Sequence, residues 1–126
     1  MDFREYQALA RRTQNNEISL HARKMHALHG MSSEVGEIHG IFQKYYQGHP
    51  VNYSELIKEI GDLMWFISEL CDVIDVDLES VCACNIAKLR ERYPEGFDEE
   101  RSRSRYPETS LDDIKDIISR MEDDVK

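Results

Sequence analysis

The stretch His21–Tyr46 reads HARKMHALHGMSSEVGEIHGIFQKYY, and its spacing decides the fold. Met25, Leu28, Met31, Val35, Ile38, Ile41, Phe42 and Tyr45 recur at intervals of three and four, the period of an amphipathic helix. Gly48 and Pro50 stop it. A second long helix is predicted from Tyr53 to Ile74, with Leu56, Ile60, Leu63, Ile67, Leu70 and Ile74 on one stripe. Asn52 is placed to cap it, with Glu55 three residues on as in a capping box. Asp77 is placed to cap a third helix, Leu78 to Arg92, which must end before Pro94. A shorter amphipathic helix, Phe3 to Thr13, precedes these. A polar stretch from Asp98 to Thr109 follows, holding Arg101, Arg103 and Arg105 among serines. Ser110 then caps a last helix with Leu111, Ile114, Ile117, Ile118 and Met121 on its apolar face. No run alternates with period two for long enough to make a strand. The expected fold is therefore all-α, an antiparallel helical bundle of four main helices plus a C-terminal helix.

Composition sets the outer bounds. The chain has 126 residues, with 16 basic against 25 acidic side chains and a formal net charge of −9. That length suits one compact domain of about 100–150 residues, with residues 1–97 as the bundle and 98–126 as a polar linker and amphipathic helix. The second part belongs to the same domain or to a contact between subunits. The longest strictly apolar run, Leu63 to Ile67, is far short of the roughly 20 residues that span a bilayer. No apolar leader follows the charged N-terminus, so a soluble cytoplasmic protein without membrane partners is expected. The acid excess argues against a nucleic-acid partner but not against a small phosphorylated substrate, because a divalent cation reverses the local sign. Cys71, Cys82 and Cys84 lack paired metal-site spacing and are expected to be reduced, mostly buried thiols. A bundle this small leaves apolar helix faces uncovered, so an oligomer is expected.

The chemistry lies in two acid pairs, Glu34 with Glu37 and Glu59 with Asp62. At about 100° per residue, Glu34 falls between Ile41 and Ile38, inside the apolar arc of its helix, and Glu37 sits at the margin. Glu59 falls between Phe66 and Leu70 on the second helix, and Asp62 again sits at the margin. A carboxylate facing a core is normally paired or bound to a metal, and neither arc contains an obvious Lys or Arg. Antiparallel packing would bring all four acids together as a set of hard oxygen ligands suited to Mg²⁺, with Mn²⁺ able to substitute. A di-iron site needs Glu-x-x-His, and none of the five histidines lies three residues after a Glu. His26 and His29 share a helix face but read more simply as surface or supporting residues.

The run Glu34-Val35-Gly36-Glu37, a gap of 21 residues, then Glu59-Ile60-Gly61-Asp62 resembles the signature of the MazG-like, all-α nucleoside triphosphate pyrophosphohydrolases. Ala27-Leu28-His29-Gly30-Met31 before the first pair and Leu63-Met64-Trp65 after the second are similar to the same family. So is the third-helix segment from Asn85 to Pro94, and the resemblance covers about His21 to Phe97. It implies Mg²⁺-dependent hydrolysis of a (d)NTP to the monophosphate and pyrophosphate. Glu34, Glu37, Glu59 and Asp62 would then be metal ligands, one of them orienting or deprotonating the attacking water. It further implies that Lys88 and Arg92 neutralise the leaving pyrophosphate and that Asn85 and Tyr93 contact sugar, base or phosphate. A homodimer or a homotetramer built from dimers is the implied assembly. Ser33 stands where many relatives carry another acid, which leaves one or two ions per site. Substrates such as phosphoribosyl-ATP or dUTP, or a non-catalytic metal-binding helical module, are the alternatives.

Overall fold

A computed structural model describes residues 1–106 and 110–124. The end of the expected polar stretch, at 107–109, lies outside the described residues, as do the side chains of Leu111 and Met121. Six helices make up the described chain: α1 (Phe3–Arg11), α2 (Leu20–Tyr46), α3 (Tyr53–Val73), α4 (Leu78–Arg92), α5 (Glu99–Arg105) and α6 (Leu111–Asp124). No strand occurs among the described residues.

Local chemistry accounts for most boundaries. Asp2 accepts from the Glu5 amide at 2.9 Å and Glu5 returns the bond to the Asp2 amide at 3.1 Å, closing a capping box on α1. Ser19 accepts from the Ala22 amide, so α2 begins at Leu20. It ends where Gly48 adopts φ 96° and the His49 amide reaches the Lys44 carbonyl oxygen at 3.0 Å, a left-handed cap that glycine supplies without strain. Asn52 caps α3 through the Glu55 amide as expected, and its own side-chain amide donates to the Glu55 carboxylate. The same left-handed device ends α3, with Asp75 at φ 57° and the Val76 amide bonded to the Cys71 carbonyl oxygen. Ser110 and Asp113 bond reciprocally at the start of α6.

Two boundaries depart from the sequence reading. The first amide of α4, at Leu78, is satisfied by the Gln7 Oε1 at 2.8 Å, so a residue of α1 takes the place expected for the Asp77 side chain. Part of the polar stretch after Asp98 is helical: Asp98 accepts from the Arg101 amide at 2.8 Å, and Glu99 pairs with Arg103 one turn on. A cap and an i,i+4 ion pair specify α5, neither of which registers in an apolar pattern.

The chain divides into two compact units, Met1–Asn85 and Ile86–Lys126, and the division falls inside α4. In the first unit α2 and α3 form an antiparallel pair. His26 meets Glu69, Gly30 meets Phe66, and Glu34 meets Asp62, so residue numbers rise on one helix as they fall on the other. Fully or nearly buried small residues, Ala27 and Ser68, allow this close approach. Helix α1 lies against α3, tied by Trp65 Nε1 donating to Thr13 Oγ1 and by a polar hub at Asp72. Asp72 accepts from Gln7, Arg11 and Gln14 at 2.6–2.8 Å.

Apolar cover is thin. Leu28, Val35 and Phe42, spaced seven apart on α2, are each 40% exposed, and Ile57 and Ile60 on α3 more so. Of the three cysteines only Cys71 is buried, and Cys84 is exposed. The expectation of mostly buried thiols fails because nearly all of α4 beyond Cys82 faces solvent. In the second unit Tyr93 and Phe97 pack their rings 5.7 Å apart across a turn that Gly96 makes at φ 91°.

Candidate metal centre and active site

The acid pairs meet where the wheel places them. Glu34 and Glu59, inside the apolar arcs, are half-buried; Glu37 and Asp62, at the margins, are exposed. Glu34, Glu59 and Asp62 each bring one carboxylate oxygen within 4.8 Å of the others. Glu37 stands outside this group of three, close enough for its charge to bear on Glu34. No Lys or Arg pairs with any of the four among the described residues.

Crowded like charges leave a signature on one of them. Glu34 is held above its ordinary carboxyl pKa, first by burial, then by the hydrogen-bonded Glu59 carboxylate and by the charges of Glu59, Asp62 and Glu37. Such crowding of like charges favours a cation among the carboxylate oxygens. Three convergent oxygen donors and no nitrogen or sulfur suit a hard divalent ion that keeps some of its waters, and a fourth carboxylate waits one turn away. The residues present therefore fit Mg²⁺ or Mn²⁺.

Around this cluster lie residues that periodicity does not single out. Tyr6 of α1 sits near Asp62, and its phenol is held above its usual pKa by burial and then by that charge, so it remains a hydrogen-bond donor. Seven residues beyond Asp62 on the same stripe of α3, about 10 Å away at 1.5 Å per residue, Glu69 is only 1% exposed. It takes the Nδ1 side of the His26 ring at 2.8 Å, and that ring stands edge-on to Trp65 and Phe66. His26, its ring still partly open to solvent, is thus a supporting residue of the helix pair, and His29 is exposed. The apolar stripe hid Glu69, although its place on the Asp62 stripe was legible.

A polar cavity of about 390 Å³ opens beside Asp72, lined also by Arg11, Gln14, Arg23 and Asp77. Arg11 and Gln14 donate to Asp72, and the Nη2 of Arg23 donates to Gln14. The buried Nε of Arg23 is left without a hydrogen-bond partner among the described residues.

The third-helix residues fall in both units. Asn85 closes the first unit and is exposed. In the second, Lys88 is exposed, whereas Arg92 and Tyr93 are half-buried. The Tyr93 hydroxyl is held below its ordinary pKa by hydrogen bonds from Ser102 and Arg105 and by the charges of Arg105 and Arg92.

Residues 23–97 match the family described as the MazG nucleotide pyrophosphohydrolase domain. The "Gene 37 protein" of Mycobacterium phage L5 is 32% identical over 72 residues, which make up 53% of this chain and 63% of that protein. The chain thus spans less than two thirds of that relative's length. No solved structure matches it. No helix among the described residues is long and apolar enough to cross a membrane.

Proposed function

Because the chain belongs to the MazG nucleotide pyrophosphohydrolase family, we propose that it hydrolyses a (d)NTP to the nucleoside monophosphate and pyrophosphate, clearing a non-standard or surplus nucleotide in the cytoplasm. The observation that carries this reading is the convergence of Glu34, Glu59 and Asp62 without a cationic partner. With Glu37, these would hold Mg²⁺, or Mn²⁺ in its place. The bound ion supplies charge neutralisation at the phosphate oxygens and a more acidic water.

The chain's own part is positional. Glu34 and Glu59, half-buried on facing helices, hold their oxygens in fixed geometry, and the exposed Glu37 and Asp62 face the solvent from which substrate arrives. One of the four orients the attacking water or takes its proton, and Glu34 is the acid whose raised pKa suits it to hold that proton. Lys88 and Arg92, one turn apart on α4, neutralise the leaving pyrophosphate, Arg by a bidentate fork and Lys as a point charge. Asn85 and Tyr93 contact the nucleotide. A second copy of the chain covers the exposed Leu28, Val35 and Phe42 stripe, giving a homodimer or a dimer of dimers.

The test is a panel of ribo- and deoxyribonucleoside triphosphates, including dUTP and oxidised or deaminated bases, incubated with Mg²⁺ and then Mn²⁺. Monophosphate with pyrophosphate from a subset is the expected product pair. Orthophosphate, or no product from any of them, overturns the reading and moves the search to phosphoribosyl-ATP or to a non-catalytic metal-binding role.

A further inference from the structure

Of the five histidines, only His26 has its side chain engaged in a hydrogen bond or ring contact among the described residues. Its Nδ1 lies 2.8 Å from Oε2 of Glu69, whose side chain is 1% exposed while that of His26 is 52% exposed. No Lys or Arg pairs with Glu69 among the described residues. A carboxylate is costly to bury, and an apolar side chain at position 69 would fill the seam between α2 and α3 at lower cost. What the carboxylate adds is a fixed imidazole, because the bond at Nδ1 sets the orientation of the whole ring. The other ring nitrogen, Nε2, has no partner among the described residues.

The helix pair carries this ring at a defined place. Trp65 follows Asp62 by about one turn of α3 and Glu69 by about two, roughly 10 Å at 1.5 Å per residue. On α2, His26 stands two turns before Glu34, with the Gly30–Phe66 contact between them. The Trp65 ring lies edge-on to His26 at 6.3 Å between centroids and is anchored by Nε1 donating to Thr13 Oγ1 at 2.9 Å. Phe66 meets the imidazole at 5.5 Å. Aromatic surface and one unpartnered imidazole nitrogen thus stand two turns from the acid cluster, a separation that the sugar of a nucleotide spans. A flat base packs against aromatic side chains whatever its identity, and its identity is read by hydrogen bonds at its edge.

We propose that His26 reads the nucleobase of the substrate through Nε2, beside the aromatic surface of Trp65, and that Glu69 is the positioning residue that holds the imidazole for this task. The proposal rests on the nucleotide reading for its ligand and deepens it by naming the residue that discriminates between bases. It requires binding of a nucleotide but not its hydrolysis.

Trp65 is the chain's single tryptophan, so its fluorescence reports directly on this place. The probes are CMP and UMP, which differ by an amino group against a carbonyl at one ring position, with AMP and IMP as the matching purine pair, each titrated into the full chain with Mg²⁺. In at least one pair the two affinities should differ about fivefold or more, the scale of one hydrogen bond. His26→Asn keeps an amide nitrogen able to donate to Glu69 but deletes Nε2. It should keep its helix by circular dichroism and bring that ratio to within about twofold. Glu69→Met, which puts an apolar side chain of similar length on an apolar stripe, should also stay folded and narrow the ratio partway; it decides the matter should His26→Asn lose helix. A purely structural His26–Glu69 pair would leave the ratio unmoved in both variants. No binding, equal binding within both pairs, or a ratio that the folded variants retain overturns the proposal. The expected pattern in a chain that releases no pyrophosphate from any triphosphate would sustain His26 and sink the hydrolysis reading. Pyrophosphate release with an unmoved ratio would do the reverse.

Discussion

The ring of Phe66 fills the space that a Cβ on residue 30 would need, so α2 and α3 approach closely because that residue is Gly30. One turn further along α2 stands Glu34, and one turn back along α3 stands Asp62. The glycine–ring contact therefore sets the spacing and register at which these acids meet.

Gly30→Ala is accordingly expected to destabilise the fold by about 1–3 kcal/mol, the usual cost of overpacking a close contact. The displaced helices should also weaken Mg²⁺ binding. Gly40→Ala, in the same helix with open space at its Cβ position, should instead stabilise by about 0.5–1 kcal/mol through helix propensity. Urea unfolding of the two variants checks both signs, and equal effects would remove the special role of Gly30.

Glu59→Gln removes one charge and keeps the shape of the cluster. Turnover should nearly vanish while the far-ultraviolet spectrum and the assembly state stay unchanged. Glu34 should titrate closer to an ordinary carboxyl, since Glu59 supplies both a hydrogen-bonded carboxylate and a charge to its raised pKa. Product analysis and a carboxyl-resolved NMR titration are the measurements. Full turnover in this variant would exclude Glu59 from the reaction.

The raised Glu34 pKa makes a statement about stability without metal. Above the ordinary Glu value of about 4.3, the folded chain still binds a proton that the unfolded chain has released. Stability of the chelated protein therefore falls as pH rises from there through the Glu34 titration. Mg²⁺ should abolish this loss, because it occupies the deprotonated cluster and displaces the proton. Thermal unfolding across pH with chelator and with Mg²⁺ should diverge as pH rises, and parallel curves would refute metal binding at Glu34.

Asp72 behaves with the opposite sign. Its side chain is 6% exposed; burial alone would raise its pKa, but hydrogen bonds from Arg11, Gln14 and Gln7 and the Arg11 charge hold it below the usual value. The stability it contributes is present above the unfolded Asp value of about 3.9 and is lost as pH falls through the lower folded value. Asp72→Asn should cost about 2 kcal/mol by leaving the buried amides of Gln7 and Gln14 poorly paired. It should also flatten the acid limb of the stability curve. An unchanged acid limb would show that α1 is held by other contacts.

Helix positions and the acid cluster were legible in the sequence for different reasons. Period and punctuation place α2 and α3, because a stripe of apolar side chains and a glycine stop act locally. The wheel position of Glu34 and Glu59 anticipates their burial, because a helix carries every residue on it rigidly to one face. Helix α5 was not legible, since Asp98 and a Glu99–Arg103 pair stabilise it without an apolar stripe. The Gln7 cap on α4 was not legible either. It joins residues 71 positions apart, and no local pattern records such a partner.

Taken alone, the residues determine an all-α chain, the two acid pairs, and the likeness to the family that residues 23–97 then match. Backbone periodicity, caps and motif spacing are properties of neighbours along the chain. Tertiary packing decided which acids converge: Glu34, Glu59 and Asp62 close together, with Glu37 beside them. It also decided that the buried Glu69 carboxylate meets the Nδ1 of His26. Those pairings depend on how closely two helices approach and on which side chains a turn folds back upon, distances that only the folded chain sets.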